Sequence, residues 1–305
     1  MNPRLDQLSG RALRNKLHGP GLFVQTGPLI FAIRSREAAI AEALPRLYPE
    51  QRLADEDFAD FHVEVRRVPG LRGWVKPQIE FLIDGSSPFQ PLPQAQSFAM
   101  LEWGMNWCIA ALCHQYLVIH SAVVEKDGFA ALLPAPPGSG KSTLTAALVQ
   151  RGWRLCSDEL TLIDPASAKV IALARPVNLK NQSIDVIRAF APEAVFGTAL
   201  ADTQKGRVCH MKPPPDSVAR VDEAASPRWI VFPRWEKDGK AQLQARPRSA
   251  SFIDLAENAF NYSLLGELGF TTLTKVIDAS ETLSLSYGRL DEAVALFNGL
   301  AEGAR

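Results

Sequence analysis

The chain has 305 residues, 47% of them hydrophobic and 22% charged, the balance of a globular protein long enough for one large domain or two smaller ones. Lys and Arg together number 33, and so do Asp and Glu, so no overall field draws the chain to nucleic acid or to an anionic membrane. The cysteines Cys108, Cys113, Cys156 and Cys209 lack metal-ligand spacing and read as reduced core thiols. Met1 to Gly10 carry no signal-peptide core, and the apolar run Leu101–Leu112 is too short and too polar to span a bilayer. A cytoplasmic protein is expected, with neither nucleic acid nor membrane as partner.

In chain order, residues 1–20 are basic, with a short helix expected around Leu5–Leu17. Leu22–Val24 and Leu29–Ile33 read as strands, followed by a helix from about Ser35, as N-cap, to Leu47. Phe61–Arg66 alternates as a half-buried strand, with a turn from Pro69-Gly70 to Gly73 and a partner strand at Gln78–Ile83. His62 reads as a sheet residue and His18 as a loop residue. Residues 84–97, rich in Pro and Ser, make a connector. The expected division is therefore a small α+β domain over 1–95 and a larger domain over 96–305. Phe98, Leu101, Met105, Ile109, Leu112 and Tyr116 recur at helical spacing, which predicts a long helix ending near Tyr116.

Leu117–Val124 reads as a strand, Asp127-Gly128 as a tight turn and Phe129–Leu133 as the returning strand. That strand runs into Ala135-Pro136-Pro137-Gly138-Ser139-Gly140-Lys141-Ser142-Thr143, and Leu144–Val149 continues as a helix. Strand, glycine-rich loop and helix in this order make a phosphate-binding loop, with Ala135 in the place usually held by its first Gly. Gly138 and Gly140 allow backbone angles that turn N–H groups onto an anion, and the helix N-terminus adds the positive end of its dipole. Lys141 can reach terminal phosphates, and the Ser142 hydroxyl can ligate Mg²⁺. The strand feeding the loop is one arm of a hairpin, whereas the usual P-loop NTPase reaches it through a crossover helix. Beyond the helix, Trp153–Asp164 reads as two short strands flanking the acids Asp158-Glu159, where they can face the loop's mouth. The bland alternatives are a solvated turn for the acids and a satisfied sheet histidine for His120.

Ile119-His120, the run Pro137–Thr143, and Arg151-Gly152 through Arg154-Leu155 to Ser157-Asp158-Glu159 resemble the HPr kinase/phosphorylase family. The similarity is closest to its bacterial group of HPr kinase-related kinase A proteins and is strongest over residues 117–164. The resemblance implies an α/β fold with a PEP-carboxykinase-like P-loop core, in which a mixed sheet feeds the loop through a hairpin. It implies a kinase that uses ATP and Mg²⁺ to phosphorylate a hydroxyl, that of a Ser on a protein or peptide. Asp158 then matches the general base on the acceptor, Glu159 a metal-binding acid alongside Ser142, and His120 a histidine near the transferred phosphate. Relatives sit with peptide-modification genes, which points to a modified-peptide precursor as acceptor. The family's downstream Glu-Ile-Arg-Gly-Leu-Gly type run has no counterpart here, so neither phosphorolysis nor HPr as acceptor is carried over. The residues alone leave open a nucleotide-gated binding module without transfer, a small-molecule kinase, and homo-oligomerisation.

Further on, Pro176–Asn181 leads into a helix near Ser183. Residues 197–217 read as a long cationic loop with Lys205, Arg207, His210 and Lys212, either a lid over phosphates or a solvated connector, and Lys180 carries the same two readings. Trp229–Phe232 is expected as a buried strand with Ala241–Ala245 as its hairpin partner, and Ser251–Leu265 as one helix with Asn258 and Asn261 as polar contacts or, more simply, caps or surface residues. Leu283–Tyr287 reads as the last strand and Asp291–Leu300 as a closing amphipathic helix.

Overall fold

The computed structural model describes residues 3–70 and 76–303, apart from the side chain at 202, as a mixed α/β fold. It divides into two compact units, Met1–Ile109 with Val195–Lys212, and Ala110–Ala194 with Pro213–Arg305. The expected turn from Pro69-Gly70 to Gly73 lies largely outside the described residues.

The first unit opens with α1 (Gly10–His18), β1 (Leu22–Thr26), β2 (Leu29–Ser35), α2 (Ala38–Leu47), β3 (Phe61–Arg67), β4 (Gln78–Ile83), β5 (Leu92–Pro93) and α3 (Ser97–Leu112). Strands β1–β5 lie in sequence order in one sheet, with only the β2–β3 pair parallel, as the α2 crossover requires. Phe61, Val63 and Val65 are buried while His62 is exposed, the period of a half-solvated sheet. His18 is the last residue of α1 rather than a loop residue. Ser35 ends β2 instead of capping α2: its hydroxyl donates to Val65 O and accepts from Glu37 N–H, and Glu37 is the cap.

The second unit runs through β6 (Leu117–Ile119), β7 (Ser121–Lys126), β8 (Phe129–Pro134), α4 (Lys141–Val149), β9 (Arg154–Ser157), β10 (Thr161–Ile163), β11 (Val170–Ile171), β12 (Val177–Lys180) and α5 (Gln182–Phe190). The hairpin β13 (Leu200–Thr203) and β14 (Gly206–Met211) belongs to the first unit. The chain then gives α6 (Pro215–Ala219), β15 (Ser226–Trp235), β16 (Gln242–Ala245), α7 (Arg248–Glu257), α8 (Tyr262–Leu265), α9 (Glu267–Asp278), β17 (Glu281–Tyr287) and α10 (Leu290–Gly303).

Its main sheet has six strands in the order β16-β17-β15-β8-β7-β9. The β7–β8 hairpin turns on Asp127 and Gly128 at φ 52° and 86°, the two positive angles that a two-residue turn of this hand requires. Alternate residues of β8, Ala130 and Leu132, enter a core with Leu255, Leu273 and Val276 of α7 and α9. Trp153 packs between Trp229 and Phe297, at 6.3 Å and 5.6 Å between ring centroids. All four cysteines are buried thiols outside any disulfide.

Four further expectations change. The long helix stops at Leu112, and the Tyr116 carbonyl is instead taken by Asn261 Nδ2 at 2.8 Å. The residues from 197 to 217 are not a long loop but the β13–β14 hairpin and α6. Of its cations, Lys212 pairs with Glu50 at 2.6 Å, Lys205 lies 5.2 Å from the centre of the Trp103 ring, and His210 is buried edge-on to Phe98. Next, β16 does not pair with β15, because β17 inserts between them, parallel to β15 and antiparallel to β16. An apolar strand such as β15 is satisfied by parallel neighbours on both sides once α7–α9 supply the crossover. Finally, Ser251–Leu265 breaks at 258–261 into α7 and α8, and α9 follows without having been anticipated. Among the described residues, no helix is long and apolar enough to cross a membrane.

Candidate functional site

Strands β8, β15 and β17 run parallel, β7 runs back against β8, and β9 runs antiparallel to β7 and so in the sense of β8. Four strands therefore end at one edge of the sheet. The chain leaves them as the loop 135–140, as Trp235, as Tyr287 and as Asp158-Glu159. The C-terminal edge of parallel strands is where open α/β sheets bind ligands. Arg154 fixes β9 in place: its buried guanidinium pairs with Glu125 of β7 and donates to the carbonyls of Arg220 and Glu223.

The loop is held in a conformation that only glycine takes easily. Gly138 and Gly140 have φ of 86° and 89°, and a Cβ on Gly140 would stand 2.4 Å from Tyr287 Oη. The Tyr287 hydroxyl donates to Gly140 O at 3.1 Å, and Trp235 N–H donates to Ser139 O at 2.9 Å. The ends of β17 and β15 thus brace the loop where it enters α4. Ala135 is buried at the end of β8, Pro136, Pro137 and Gly138 are exposed, and Ser142 and Thr143 are half-buried in the first helical turn.

Lys141 is 8% exposed, and its Nζ has no hydrogen-bond partner. Burial lowers its pKa, Asp158 and Glu159 oppose that shift, and Lys180 adds to it. Asp158 is equally buried, and burial pushes its carboxyl up to about 6. Lys141 works against that rise and Glu159 with it, while the Asn178 N–H and the Ser142 hydroxyl favour the charged form. Asn178 N–H donates to Asp158 Oδ2 at 2.9 Å, whereas Oδ1 has no partner of normal hydrogen-bond geometry. Asn178 Nδ2 donates to Glu159 Oε1 at 3.3 Å, and Lys180 Nζ lies 3.5 Å from the same oxygen. The Asn178 Oδ1 is itself buried and unpartnered.

The structure thus brings Lys141, Asp158, Glu159 and Ser142 together and adds Lys180 and Asn178 from β12. Sequence reading did not single out Asn178. Its signal was a polar residue between the buried Val177 and Leu179, in a strand with no solvated face to receive it. Three buried atoms without partners, Lys141 Nζ, Asp158 Oδ1 and Asn178 Oδ1, sit among mutually interacting side chains. Each is costly unless a polar ligand satisfies it. No group of three or more His, Cys, Asp or Glu gathers as a metal cage among the described residues. The oxygens available, those of Ser142, Asp158 and Glu159, nevertheless suit Mg²⁺, a hard cation that keeps several waters and binds one or two carboxylates.

His120 stands at a break. The expected strand Leu117–Val124 splits there, β6 pairing with β10 and β7 with β8 and β9. Ile119 is paired with Thr161 on one side of the break and Val123 with Ser157 on the other, so His120–Ala122 runs opposite Asp158–Leu160. The His120 N–H donates to Asn258 O at 2.8 Å, and its ring stacks on Phe260 with 5.9 Å between centroids. Asn261 stands at the N-cap position of α8 and makes polar contacts instead of facing solvent: it is 3% exposed, and its Oδ1 accepts from Val118 N–H at 3.0 Å.

No family model matches the chain, and no curated protein matches it. Among solved structures, the HPr(Ser) kinase/phosphatase from Coxiella burnetii matches over 61% of this chain and 95% of its own, with 9% sequence identity and a TM-score of 0.26. A likeness at that TM-score carries no weight for fold or activity.

Proposed function

We propose that the second unit is an ATP- and Mg²⁺-dependent kinase with a PEP-carboxykinase-like P-loop core, transferring the γ-phosphate to a hydroxyl. One observation carries this reading. A buried lysine amine without a hydrogen-bond partner lies at a helix N-terminus behind two positive-φ glycines, beside a buried carboxyl that titrates near 6. A structural lysine would be paired or solvated; this one needs an anion.

The roles follow from the atoms. The N–H groups at the start of α4 and the Lys141 ammonium take up phosphate charge in a site largely closed to water. Ser142 and Glu159 are the residues that would hold Mg²⁺, and Glu159 would give up its ion pair with Lys180 Nζ, 3.5 Å away, to do so. Bound Mg²⁺ supplies neutralisation of the phosphate oxygens. Asn178 holds Asp158 by Oδ2, which leaves Oδ1 to accept the proton of the acceptor hydroxyl as its oxygen bonds to the γ-phosphorus and the bond from that phosphorus to the β,γ-bridging oxygen breaks, releasing ADP. A carboxyl titrating near 6 is mostly ionised at pH 7 yet a stronger base than an ordinary Asp. His120, opposite the acidic turn, positions the acceptor or the transferred phosphate. A Ser of a protein or peptide as the acceptor rests on the sequence resemblance over residues 117–164.

Incubation with γ-labelled ATP, Mg²⁺ and Ser-containing peptides tests the reading. Labelled peptide should form with the wild-type chain and fall at least about a hundredfold with Asp158→Asn. Undiminished labelling by that variant removes Asp158 as the base.

A further inference from the structure

We propose that Trp235 is the platform on which the base of the bound nucleotide stacks; the inference rests on the phosphate-loop reading above. It starts from the order of strands along the ligand edge, β9-β7-β8-β15-β17, which sets Asp158, the loop, Trp235 and Tyr287 in a line. With neighbouring strands about 4.8 Å apart, the ends of β9 and β15 are separated by roughly 14 Å. A triphosphate whose terminal phosphate meets Lys141 and Asp158 therefore sends its other end across the loop, away from the acids and towards β15.

There the chain presents an aromatic ring that packing does not account for. Trp229, Ile230 and Val231 of β15 are at most 1% exposed, whereas Trp235 at its end is 49% exposed. Yet Trp235 is not loose. Its backbone N–H holds Ser139 O, and its indole Nε1 donates to Gly288 O at 3.2 Å. Gly288 is itself closely packed, since a Cβ there would stand 2.6 Å from Gly239 O. On the loop side, a Cβ on Gly140 would come within 3.0 Å of Trp235 Cβ. A half-exposed indole, fixed in plane by its own N–H and joined to the phosphate loop through its backbone, is pre-organised to receive a flat aromatic ligand. Every base offers a π-face, so stacking gives affinity with modest selectivity among bases.

The experiment measures, by calorimetry on the full chain, the Kd of ATP and of inorganic tripolyphosphate for wild type, Trp235→Ala and Trp235→Phe. Stacking on Trp235 predicts that Trp235→Ala weakens ATP by roughly tenfold, that Trp235→Phe recovers most of this, and that tripolyphosphate binding stays within about twofold in all three. Equal weakening of ATP and tripolyphosphate overturns the proposal, because Trp235 then only braces the loop; so does unchanged ATP binding. If wild type binds neither ligand, the phosphate-loop reading fails and this inference with it, whereas tripolyphosphate binding with ATP insensitive to Trp235 leaves that reading intact.

Discussion

Lys141 and Asp158 are coupled, and each restrains the shift that burial imposes on the other. Replacing Lys141 by Met removes the largest influence that lowers the Asp158 pKa, so the carboxyl should titrate above about 6. Phosphate transfer should fall about 10²- to 10³-fold, as when one preorganised donor to a developing anion is removed. The acid limb of the pH–rate profile reports the first effect and single-turnover kinetics the second. Gly140 is sensitive for another reason. Ala at φ 89° is strained, and its Cβ would meet the Tyr287 hydroxyl, so Gly140→Ala should cost about 1–3 kcal/mol in urea denaturation. Adding Tyr287→Phe should recover only the steric part, since the backbone angle remains.

At the level of elements, the break at His120 is held by the gap between α7 and α8. Asn261→Ala would orphan the buried Val118 N–H and leave Tyr116 O without its side-chain donor, at a cost of about 2–4 kcal/mol. Because the same gap carries Asn258 and Phe260 against His120, transfer should also slow in that variant, which is checked at a urea concentration well below its midpoint. The partners of this tie could not be read from the sequence: Asn258 and Asn261 do stand at helix caps, but nothing local names Val118 and Tyr116 as what Asn261 binds. Elements with a local code were legible, among them the Asp127-Gly128 hairpin, the Gly138–Gly140 loop and strands β1–β4 of the first sheet, whereas β5 falls in what reads as a connector. Elements that depend on distant partners were not. Nothing in Trp229–Phe232 or Ala241–Ala245 says that β17 comes between them. The cations of 197–217 look solvated until Glu50 and Trp103 are placed beside them. Of the site, the loop, Lys141 and the two acids were visible as a run of types, while Asn178 emerges only once β12 is set beside Asp158-Glu159 at the end of β9.

For the molecule as a whole, Asp158 makes stability depend on pH in the direction opposite to a paired carboxylate. Its folded value near 6 lies above the ordinary 3.8, so between those values the folded chain keeps a proton that the unfolded chain has lost. Stability from this group is therefore full below about pH 4 and is lost as pH rises through 6, by about 3 kcal/mol in total. Urea midpoints of wild type and Asp158→Asn, without nucleotide or Mg²⁺, should diverge across that window, with the variant the more stable at pH 7. A site that destabilises its own empty fold is the signature of a surface shaped for a ligand.

The most direct test of phosphoryl transfer separates binding from chemistry in Asp158→Asn. With an acceptor peptide found by labelling, the Kd of ATP with Mg²⁺ and the single-turnover rate of γ-phosphate transfer are measured on wild type and variant. The account predicts a Kd within a few-fold of wild type and a rate lower by at least about a hundredfold. Equal rates would contradict it, as would ATP failing to bind the wild-type chain at all.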